Sequence, residues 1–131
     1  MVMTWQDMAL GAAGIVGAGV AVIHGALTQR FIVRPLEAAC RAEPGLRGVR
    51  RLVPVLMHFS TYAWFLSGVA LVVAAGWMAP QARLVTAALV GAGYLFGAVG
   101  NFWATRGRHP GWMMMSLALA LLIAGAQAPG G

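Results

Sequence analysis

Four stretches of this chain, 8–29, 52–78, 84–104 and 111–126, contain no Asp, Glu, Lys or Arg at all. Each is long enough, or nearly so, to cross about 30 Å of hydrocarbon as a helix of roughly 20 residues. Backbone N–H and C=O groups find no water in lipid, so runs of this kind must close their hydrogen bonds within themselves and become helical. Alternating strand patterns of about ten residues are absent, which sets a barrel aside. Of the 131 residues 60% are hydrophobic and 9% charged, against about a quarter charged in soluble domains. A domain of this size cannot bury so much apolar surface in its own core, whereas a hydrocarbon-facing surface accounts for it. The sequence therefore predicts an all-α fold, a single four-helix transmembrane bundle covering 1–131.

The connections predict its orientation. All nine basic residues are arginines, and Arg30, Arg34, Arg41, Arg47, Arg50 and Arg51 fall in the segment 30–51. Arg106 and Arg108 follow the third run, and only Arg83 lies on the opposite side. Positive charge stays on the cytoplasmic face, so 30–51 reads as a cytoplasmic loop and both termini as periplasmic, in a bacterial inner membrane. The leading segment has no basic residue before its apolar run, which argues against a signal peptide and for a retained spanning helix. Pro35 is expected to stop the first helix, and Pro44-Gly45 to turn the chain. Pro54 and Pro110 lie near helix starts, where a missing N–H costs little. The piece "PLEAACRAE" fits either a short interfacial helix or plain loop. Cys40 is the only cysteine, so no internal disulfide forms. The arginines need no nucleic acid, since anionic lipid head groups lie beside them.

Small residues recur at helical spacing. Gly17, Ala21 and Gly25 make a ridge on the first helix; Gly93 and Gly97, continued by Asn101, make one on the third. Ridges of this kind let helix backbones approach closely, either inside the bundle or at a face between copies or with another membrane partner.

Against this background three polar residues stand out. His24 lies about 8 Å, and His58 about 9 Å, from the arginine-rich end of its helix, and Asn101 shares that layer. His24 shares a face with Thr28, and His58 with Thr61 and Tyr62. Unpaired polar groups are costly in hydrocarbon, so these side chains should face the bundle interior. One reading is that they hydrogen-bond across helices and lock them together. A second is a cofactor site: two imidazoles at equal depth suit a bis-His haem b, or copper with Met or water completing its shell. A third is a small oligomeric transporter or channel, with Arg30, Arg51 and Arg106 beside the histidines; the same arginines suit lipid head groups. The methionines of "WMMMS" point in different directions around a helix and cannot jointly hold one ion. His109 reads as a solvated surface residue. No carboxylate pair, metalloprotease motif or complete nucleophile triad is present, so the chain reads as non-enzymatic.

"IHGALTQRFIVRPL" followed by "RRLVPVLMHFSTYAWFLSG" resembles a class of small bacterial four-helix integral membrane proteins of uncharacterised activity. In them the first span ends in His and then Arg, and the second opens on basic residues and a His. The resemblance covers the first half of the chain, and singles out His24, Arg30, Arg51 and His58 without implying an activity. The expectation is a non-enzymatic structural, accessory or binding module with a buried polar layer at its arginine-rich end.

Overall fold

The structure, a computed structural model, describes residues 3–127. Helix α1 (Trp5–Thr28) starts on a reciprocal cap. The Thr4 Oγ1 accepts from the Asp7 N–H at 3.2 Å, and the Thr4 N–H donates to the Asp7 carboxylate at 2.8 Å. Two of the helix's orphan N–H donors are satisfied in this way. A wide turn at Gln29–Val33 then carries α1 straight into α2 (Arg34–Ala42). A short tight turn, Pro44–Leu46, leads to α3 (Arg47–Trp77); α4 is Pro80–Thr105 and α5 is Gly111–Ala126.

The segment expected to be a cytoplasmic loop, 30–51, is thus helical over most of its length, and "PLEAACRAE" lies mainly in α2. Pro35 does not end the rod. It sits in the first turn of α2, where a helix tolerates the missing N–H. The wide turn before it, in which the Arg34 N–H reaches back to the Gln29 carbonyl, makes room for the ring. Pro54 lies inside α3 rather than at its start, because α3 begins earlier, at Arg47. Its ring frees the carbonyl of Arg50, which lies at the arginine-rich end. Pro80 does open α4.

The rods α1–α2, α3, α4 and α5 run alternately up and down. Around the bundle α1 neighbours α3, α3 neighbours α4, α4 neighbours α5, and α5 closes against α1. Three of the helices are long and apolar enough to cross a membrane; α5, with 16 residues, is apolar but shorter.

Packing is inverted relative to a water-soluble domain. Small residues fill the interior: Ala13, Gly14, Gly17, Ala21, Ala74, Ala87, Ala98 and Ala118 are buried. Large ones face out, with Phe96, Trp77 and Trp103 about four-fifths exposed. A hydrocarbon surround suits that surface, since apolar patches of this extent are rare on soluble monomers. Close backbone approach then supplies the dispersion contacts that hold helices together in lipid. The approach is tightest where Gly14 of α1 meets Gly68 of α3. A Cβ on Gly14 would lie 2.5 Å from the Gly68 carbonyl oxygen, and the reverse distance is the same.

Tyr94 of α4 is the largest fully buried side chain, and its ring reaches across the bundle to Gly17 of α1. Among the described residues its hydroxyl has no hydrogen-bond partner. A buried hydroxyl without a partner costs stability. Tyr94→Phe should therefore stabilise the bundle by about 1 kcal/mol, seen as a higher unfolding midpoint when sodium dodecyl sulfate is titrated into detergent micelles. A lower midpoint would mean that the hydroxyl is satisfied.

At the end away from the arginine cluster, Arg83 ties three helices together. Its guanidinium pairs with the Asp7 carboxylate of α1 and donates to the Gly125 carbonyl of α5 at 2.9 Å. Gly125 makes this possible: a Cβ there would lie 2.5 Å from the Leu10 nitrogen. The Arg83 hydrogen bond, followed by those from Thr4, lowers the Asp7 pKa from 3.8 to about 2.

Candidate functional site

The site lies at the arginine-rich end, where α1, α3, α4 and α5 converge on a cavity of about 170 Å³. His24 enters it from α1, one turn before the helix leaves the apolar layer. Its ring lies against Trp64 of α3, with centroids 4.9 Å apart and planes tilted by 49°. The imidazole Nε2 is 3.3 Å from the Thr28 hydroxyl, one turn along the same helix, and 3.5 Å from the Ser60 hydroxyl of α3. Ser60 itself donates to the Met57 carbonyl at 3.1 Å, so its oxygen is left as an acceptor for an imidazole N–H. These contacts orient the ring between α1 and α3.

Opposite His24, α4 and its exit supply the polar rim. Asn101 lines the cavity one turn before the helix end, and its main-chain carbonyl accepts from the Thr105 hydroxyl at 2.7 Å. Arg106 and Gly107 then adopt left-handed backbone with φ of 52° and 73°. The Gly107 N–H closes the helix on the Phe102 carbonyl at 2.9 Å, which reverses the chain. This reversal brings His109 back over Thr105, whose hydroxyl accepts the His109 N–H at 3.4 Å. The His109 Nδ1 accepts from the Gly111 N–H at 3.0 Å, so the neutral ring carries its proton on Nε2. Gly111 has to be small here: a Cβ would meet His109 Nδ1 at 2.9 Å and Asn101 Nδ2 at 3.2 Å. Met114 and Met115 of α5, with Val20 and Leu27 of α1, form apolar wall. The result is a pocket with apolar sides and two imidazoles and one amide as its polar groups.

His58 does not share this space. Its Nε2–H donates to Gln29 Oε1 at 2.8 Å, tying α3 to the wide turn, and the cavity is lined without it. A bis-His haem needs both imidazoles on opposite sides of one slot, and sites for molecules of that class run to about 300–1,000 Å³. The residues present do not fit that group. Among the described residues no three His, Cys, Asp or Glu side chains come together as metal ligands.

The other residues singled out by the sequence fall as follows. Thr28 is buried beside His24. Thr61 packs on Gly25, where a glycine Cβ would meet its methyl at 2.7 Å, and its hydroxyl has no partner among the described residues. Tyr62 is exposed on the outer face of α3. Gly17, Ala21 and Gly25 are buried, and Gly97 faces Trp64 and Met115, whereas a Cβ placed on Gly93 would meet no neighbouring side chain or helix within 4 Å. Arg30 is exposed, with its guanidinium 5.4 Å from the Phe31 ring centroid. Arg106 caps α4, and Arg51 belongs to a separate arginine cleft. His109, expected in solvent, is exposed yet also forms part of the cavity rim. Trp64 was not among the expected site residues; its place one helical turn beyond Ser60 and Thr61 was the available signal. No protein-family model, curated protein or solved structure matches the chain.

Proposed function

We propose that this chain is a four-span bundle of a bacterial inner membrane, with both termini periplasmic, acting as a non-enzymatic binding module. Eight of the nine arginines lie at one end, which supports the orientation. Exposed Trp5 and Trp77 at one end and Trp103 at the other support the placement in a bilayer, as interfacial anchors. The observation that carries the binding reading is the cavity that gathers His24, Trp64, Asn101 and His109 from three helices and a turn. Its size is on the scale of a cavity of about 150 Å³ that admits one benzene-sized ring. Its polar groups suit one hydroxyl or amine on that ring. The ligand class is therefore a small, uncharged, ring-sized molecule with a single hydrogen-bonding group, reached from the cytoplasmic side.

Phenol is the probe. Added to the detergent-purified protein at ten times its Kd, it should stabilise the fold by about 1.4 kcal/mol. Benzene should bind more weakly, and His24→Leu should erase the difference between the two while keeping the bundle folded. Equal stabilisation by phenol in the wild type and His24→Leu, or none by either probe, would overturn the reading. A haem absorption band in protein expressed with added haem would replace it.

A further inference from the structure

A second site lies apart from the His24 cavity, where α2 packs against the start of α3. Arg41 of α2 and Arg50 and Arg51 of α3 line an open cleft of about 430 Å³, together with Glu37 and Pro54. Three guanidinium groups repel one another, and among the described residues none of them has a carboxylate within ion-pairing distance. Arg41 donates its Nε–H to the main-chain carbonyl of Glu37 at 3.4 Å, a contact that fixes the stem and leaves the charge unbalanced. The first turn of α3 carries no acidic residue to offset its positive end. Positive charge there is unfavourable unless an anion joins it.

We propose that this cleft binds a phosphate group, held by Arg41, Arg50 and Arg51. Guanidinium is the side chain suited to this task, since its planar fork gives paired hydrogen bonds to phosphate oxygens. The chain uses arginine at every basic position. Depth along α3 indicates where the phosphate comes from. Arg51 lies about 39 Å from Trp77 along the helix. With Trp77 at one interface, the cleft reaches the opposite head-group layer of a bilayer roughly 40–45 Å thick. The lipid source, a phosphodiester head group, rests on the membrane placement proposed above; the phosphate chemistry of the cleft does not.

The test is native mass spectrometry of the full chain in detergent, titrated separately with dioleoyl phosphatidylglycerol, dioleoyl phosphatidylcholine and inorganic phosphate. One equivalent of phosphatidylglycerol is expected to bind more tightly than phosphatidylcholine. Single Arg41→Gln, Arg50→Gln and Arg51→Gln changes should each weaken binding about two- to fivefold, as for exposed charge pairs. The triple change should weaken it about tenfold or more. Glu37→Gln removes the one opposing charge and should tighten binding about twofold. Arg34→Gln with Arg108→Gln removes charge from the same end outside the cleft and should change binding less than about twofold.

An equal loss in the cleft and control variants would show diffuse attraction and overturn the proposal, as would the absence of one-to-one binding by either phosphate probe. Inorganic phosphate binding with the same variant pattern would identify a free anion as ligand; phosphatidylglycerol alone would identify the lipid. Phosphate binding in detergent by a chain that fails to enter liposomes would refute the membrane placement while leaving the site intact.

Discussion

Gly68→Val is expected to cost the bundle about 3 kcal/mol or more, the largest effect of any single change considered. The Cβ position at residue 68 lies 2.5 Å from the Gly14 carbonyl oxygen, 2.7 Å from the Ala18 nitrogen and 2.9 Å from the Ala18 Cβ. Two of these are backbone atoms, so no rotamer change relieves the clash. The helices must separate, and every small-residue contact along α1 and α3 lengthens with them. Dispersion falls off steeply with a gap of even 0.5–1 Å, and no hydrophobic drive replaces it in lipid. Gly93→Ala is the matched control. A Cβ added there meets no neighbouring helix within 4 Å, so stability should stay within about 0.5 kcal/mol of wild type or rise slightly, since Ala favours helix. Unfolding in mixed micelles measures both. A Gly68→Val protein as stable as wild type would mean that α1 and α3 do not cross at these glycines.

Arg83→Leu should lower stability by about 2–3 kcal/mol. The guanidinium is the common partner of the Asp7 carboxylate and the Gly125 carbonyl, and both side chains of the ion pair are mostly shielded from solvent. Its loss leaves a carboxylate without its counter-charge at the junction of three helices. Asp7→Asn should cost less, because the asparagine oxygen can still cap the helix at Thr4. The pair also fixes a pH dependence. Asp7 has a folded pKa of about 2, below its ordinary 3.8, so the folded state binds its proton less readily than the unfolded chain. The resulting stability is fully present above about pH 4 and is lost as pH falls through about 2. Wild type should show this fall, and Asp7→Asn should not. An identical acid profile in the two proteins would refute the assignment.

Much of the architecture is legible in the sequence because it follows from local composition. Charge-free runs locate the helices, and the small residues at 17, 21 and 25 locate a buried face of α1. Counting residues from the helix ends puts His24 and Asn101 in one layer, and both line one cavity. What escapes such counting is rotation about the helix axis. His58 lies near the expected depth but turns to Gln29, which no periodicity reveals. Tyr94 reads as one more aromatic on an apolar helix until Gly17 shows where its ring goes. The Asp7–Arg83 contact joins residues 76 apart, and only the closed bundle brings them together. Pro35 escapes for a different reason: a proline ends a regular helix, but a helix that widens just before it can continue.

The inverted packing has a consequence for how this protein can vary. In a soluble domain the fold is written in its large buried side chains, and exchanges among surface residues pass unnoticed. Here the specificity resides in missing atoms, at Gly14, Gly17, Gly68 and Gly125, where one added carbon meets a neighbouring helix. Leu, Val, Phe and Ile on the outside can replace one another freely, since a fluid solvent accommodates any of their shapes. Two such chains could therefore share one architecture while agreeing at few positions beyond their glycines and alanines. Overall hydrophobic similarity would be a poor guide to kinship among them, and the spacing of their smallest residues a better one.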